Sequence, residues 1–174
     1  PVLCASHVAL MRDDELARFS EYAKRGGKLV ITGDFAEFDA ESRPREIDKT
    51  LSALGMSVRA KRMEKSGDIT VVSGEQTAVM CDMNALYAFE GGEAIATLDD
   101  GTCVGVREKI GEGEIVWLAA NAAQSEMQES IWSNRRQPIP PRVEAQASLR
   151  AHQLSHTGAF LNLIVGDRQL KVTC

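Results

Sequence analysis

Residues 26–39, Gly-Gly-Lys-Leu-Val-Ile-Thr-Gly-Asp-Phe-Ala-Glu-Phe-Asp, join a short apolar run to a small-residue turn and then to carboxylates. Asp34, Glu37 and Asp39 are the first candidates for chemistry. Paired carboxylates can serve as general acid and base, and their oxygens suit a hard cation. In an open α/β sheet, ligands sit beyond the carboxyl ends of the strands, where Thr32-Gly33-Asp34-Phe35 is expected to lie. The plainer reading of the same residues is an acidic surface loop balanced by Arg43 and Arg45.

The other reactive side chains are poorly placed. Cys4 and His7 form the one close thiol–imidazole pair, but odd spacing on a strand sends them to opposite faces, so Cys4 is expected in the core. Cys81 and Cys103 have no neighbouring histidine, and with Cys174 they complete a set lacking any CxxC pair. That disfavours zinc ribbons and redox motifs and suggests reduced thiols of a cytoplasmic protein. His152 and His156 lie four apart in strand-like sequence, roughly 13 Å, too far to share one metal ion. Gly91-Gly92 and Gly111-Glu112-Gly113 open no helix and carry acids, so they read as turns rather than phosphate cradles. No metal or cofactor is expected.

The elements that position these residues follow from periodicity. The 174 residues suit one domain with an appendage, and 44% hydrophobic with 26% charged residues is ordinary for a globular chain. A net charge of −5 without a basic stripe argues against nucleic acid. No apolar run approaches the ~20 residues of a membrane span. A strand over residues 2–10 leads to a helix starting at Asp13, with Leu16, Phe19 and Ala23 on one face. Gly26-Gly27 stops that helix before the buried strand Leu29-Val30-Ile31, so a parallel βαβ unit is expected, covered on both faces. Residues 35–45 read as a loop. A second helix spans about residues 46–54 and ends at Gly55.

From about residue 68 the pattern changes to strands at 69–72, 77–81, 94–98, 102–109 and 114–119. Asp99-Asp100-Gly101 and Gly111-Glu112-Gly113 join the last three as hairpins, and Ile115–Leu118 is apolar enough to return to the central sheet. Residues 122–133 suggest a helix, 134–141 a linker and 142–174 a β-hairpin tail. The domain division is therefore 1–133, 134–141 and 142–174. The chain starts at Pro1 directly in strand-like sequence, as expected of a fragment whose first strand is missing.

Residues 3–45, with "MRDDEL" opening a helix, "YAKRGGKLVITG" and the Arg43-Pro44-Arg45 loop, resemble the class I glutamine amidotransferase-like domain. The variant they resemble is the one within β-galactosidases, often called the trimerisation domain. "LSALGMSV" and "AIATLDDGTCVGVREKIGEGEIVWLAA" extend the resemblance to about residue 120, and the tail faintly resembles the β-sandwich that follows it. The resemblance implies an α/β, flavodoxin-like, mainly parallel sheet flanked by helices, with an antiparallel hairpin extension. Amidotransferases carry a cysteine on the elbow where this chain has Gly33-Asp34, which leaves amidotransferase chemistry without its nucleophile. The β-galactosidase variant is itself inert, so a homo-oligomer is implied, with a neighbouring catalytic domain or carbohydrate as further partners. Gly33, Asp34, Phe35, Phe38 and Arg43 are the expected binding residues. A small hydrolase acting through Asp34–Asp39 and a small-molecule-binding module are the alternatives.

Overall fold

The computed structural model describes residues 1–73 and 76–120. The expected helix at 122–133, the linker and the tail with His152, His156 and Cys174 lie outside the described residues.

The first unit is β1 (Val2–Leu10), α1 (Asp13–Lys24) and β2 (Lys28–Phe38). β1 and β2 run parallel, from Val2 beside Lys28 to Ser6 beside Thr32, as the βαβ reading expects. In α1, Leu16, Ser20 and Ala23 are buried. The helix starts at Asp13, as expected, and Arg12 is the capping residue, its backbone N–H donating to the Glu15 carboxylate at 3.0 Å. Glycine at position 26 takes φ +90°, a left-handed turn that ends the helix.

α2 (Ile47–Leu54) ends at Gly55 with φ +83°, as its sequence requires. It packs on α1, where Ser20 Oγ donates to the Leu54 carbonyl at 3.0 Å. Then come β3 (Arg59–Ser73), β4 (Gln76–Glu90), β5 (Glu93–Leu98), β6 (Cys103–Ile110) and β7 (Gly113–Leu118). All belong to a seven-stranded sheet ordered β1-β2-β7-β6-β5-β3-β4.

β7 inserts beside β2 in parallel, Lys28 next to Glu114 and Thr32 next to Leu118. The expectation that Ile115–Leu118 rejoins the central sheet therefore holds. β6, β5, β3 and β4 add antiparallel. The sheet is thus mixed and mostly strand, with parallel pairing confined to β1, β2 and β7. That corrects the expectation of a mainly parallel, helix-flanked sheet: after α2 the chain forms hairpins rather than further crossovers. The sheet also curls. Leu86 N–H of β4 donates to the Ala119 carbonyl at 2.8 Å, and Ala85 bridges Ala120. β4 is the last strand in the order, yet it reaches the carboxyl end of β7.

The core follows this curl. Leu29, Val30 and Ile31 of β2 and Ile115 through Leu118 of β7 are at most 1% exposed. An aromatic chain crosses the molecule: Phe19 of α1 meets Phe35 edge-on at 5.4 Å, Phe35 meets Trp117 at 5.8 Å, and Trp117 meets Tyr87 and Phe89 of β4. Edge-to-face pairs of this kind add roughly 0.5–1.5 kcal/mol each beyond burial. β1 is the exception to the buried βαβ unit, since most of its residues are exposed.

Candidate functional site

Beyond Ser6 and Thr32 the two parallel strands lose their regular register. His7 takes φ +55° and Gly33 φ +75°, so both strands bulge at the same level. A left-handed conformation is easy for glycine and costs a histidine of order 1 kcal/mol. Something must hold His7 there. Its Nδ1 faces Asp34 Oδ1 in an ion-pair contact between a half-exposed imidazole and a carboxylate side chain only 9% exposed. That buried Oδ1 has no hydrogen bond from any other described group. Thr32 Oγ1 donates to Ser6 Oγ at 2.9 Å, and the Gly33 carbonyl accepts from Trp117 Nε1 at 3.1 Å.

The remaining carboxylates turn elsewhere. Glu37 binds Arg62 of β3 at 2.6 Å and accepts the hydroxyl of Tyr87 on β4. Burial first, and then the hydrogen bond to Glu37, push the Tyr87 pKa well above the ordinary tyrosine value. Asp39 closes its own loop. It accepts the Arg43 backbone N–H at 2.9 Å, Arg43 Nε at 2.7 Å and the Glu41 N–H at 3.0 Å. The backbone donor of Arg43, with its guanidinium, holds Asp39 below the usual carboxylate range. The three acids named from the sequence are therefore not gathered around one point. Among the described residues, no group of three His, Cys, Asp or Glu side chains could hold a metal ion.

The binding candidates separate in the same way. The stretch after Thr32 is no loop, because β2 continues to Phe38. Phe35 has 0% exposure and stands between Phe19 and Trp117, so it is a core anchor and meets no partner as placed. Gly33 supplies a carbonyl to Trp117, and Phe38 is half-buried with its carbonyl accepting the Met11 N–H at 3.0 Å. Arg43 is exposed and committed to Asp39 and Glu41. Cys4, expected in the core, is exposed instead, because β1 lies at the end of the sheet.

Two residues of the site escape sequence reading. His7 belongs with Asp34, not with Cys4; the usable signal is that both follow the last regular positions of neighbouring parallel strands. Arg45, read as charge balance for the acids, is only 8% exposed. It donates to the Ala36 carbonyl at 3.0 Å, the Met11 carbonyl at 3.1 Å and Asp13 at 2.5 Å. Ala36 sits at φ +51°, so this buried guanidinium locks the second bulge of β2. A hollow of about 350 Å³ opens beside it, lined by Arg45, Glu46, Ile47, Asp48, Arg62 and Tyr87.

No family model matches the chain. No curated protein matches it either. Solved structures do. A β-galactosidase from Rahnella sp. R3 superposes with a TM-score of 0.53 at 18% identity over 68% of this chain and 20% of that one. A β-galactosidase from the haloarchaeon Halorubrum lacusprofundi gives 0.50 at 18% identity, over 90% of this chain and 22% of that one. An exo-β-1,4-mannosidase from Opitutaceae bacterium strain TAV5 gives 0.54 at 12% identity, over 92% and 25%. The chain spans a fifth to a quarter of the length of these enzymes. At such identities the likeness is one of fold: this chain is built like a segment found within β-galactosidases and related glycoside hydrolases. No described helix is long and apolar enough to cross a membrane.

Proposed function

We propose that this chain is a non-catalytic accessory domain that mediates subunit association, in the manner of the amidotransferase-like domain of β-galactosidases. The observation that carries the reading is the shared fold with segments of those enzymes. The strand-end geometry supports it. The elbow position holds Gly33-Asp34 rather than a thiol, and Asp34, Glu37 and Asp39 are each engaged by protein groups of different elements. Trp117, Tyr87 and Phe89 fill the space where β4 folds over the end of β7. A neighbouring catalytic domain is the partner this reading implies.

Light scattering across a concentration series tests it, together with assays on chromogenic galactosides and simple esters. The expected result is an oligomer without turnover. A strict monomer overturns the reading. Hydrolysis that disappears in Asp34→Asn replaces it with the hydrolase alternative.

A further inference from the structure

We draw no further inference here: the strongest candidate, the hollow of about 350 Å³ where the start of α2 meets Arg62 of β3 and Tyr87 of β4, is lined by acids and arginines together, and nothing in the structure shows what fills it.

Discussion

His7 Nδ1 lies against the buried Oδ1 of Asp34, tying a half-exposed imidazole on β1 to the bulge of β2. Two opposing quantities meet in His7: the contact it makes and the left-handed backbone it must adopt. His7→Ala loses the contact and keeps the strain, and leaves a buried carboxylate oxygen uncompensated. A loss of about 1–2 kcal/mol is expected, discounted because the imidazole is half exposed. His7→Gly also loses the contact but releases φ +55°, and should recover about 1 kcal/mol of that loss. Urea unfolding of both variants measures the difference. Equal midpoints would show that the conformation of His7 is unstrained.

Tyr87 offers a titration. Its pKa is raised by burial and by donation to Glu37. A raised folded-state pKa means the stabilisation is complete below the unfolded tyrosine value near 10, and is lost as pH climbs through the folded one. The chain has two tyrosines, so a Tyr22→Phe background isolates the signal. Ultraviolet difference absorbance should show Tyr87 ionising later than free tyrosine, with unfolding in alkali. Glu37→Gln should bring the transition lower. A normal tyrosine titration in the folded chain would refute the Tyr87–Glu37 contact.

Arg45 is a buried polar anchor of the described fold. Its guanidinium reaches two carbonyls and Asp13 at once. Lysine keeps the charge but not the planar fork. Arg45→Lys is therefore expected to cost about 2–3 kcal/mol, close to what Arg45→Met costs. Thermal unfolding compares the two. A lysine variant matching the wild type would mean that charge alone holds the Ala36 bulge.

Gly113 opens β7 under the end of α1. A Cβ there would overlap the carbonyl oxygens of Gly27 and Ala23, both backbone and unable to rotate away. Gly113→Ala should cost about 3 kcal/mol. Gly101 has nothing within 4 Å but adopts φ +81°, so Gly101→Ala should cost only about 1 kcal/mol. A Gly113→Ala protein as stable as the Gly101→Ala one would contradict the close passage of the β6–β7 turn against α1.

These residues also mark how far the sequence could be read. Leu29-Val30-Ile31 was legible because glycines bracket an unbroken apolar run, and the β5–β7 hairpins because each turn carries glycine. The first half of β3 was not. Arg59, Lys61, Arg62, Glu64 and Lys65 crowd a strand exposed on both faces, so no alternation betrays it. The run past Thr32 looked like a loop because Gly33-Asp34 is a turn signature, while the structure uses those residues as a bulge inside β2. The link from His7 to Asp34 depends on the register between β1 and β2, which no local pattern encodes. The return of Ile115–Leu118 to the central sheet was legible from its apolar character on both faces, but its parallel pairing with β2 was not.

The insertion of β7 between β2 and β6 has a kinetic side. Lys28 waits for Glu114, and Thr32 for Leu118, before the middle of the sheet exists. Closing so long a loop is entropically slow. On the ribosome, β2 emerges with one flank bare until almost all of the described residues have been synthesised. The nascent chain therefore carries that bare flank of β2 as an aggregation-prone surface until β7 has cleared the ribosome and docked.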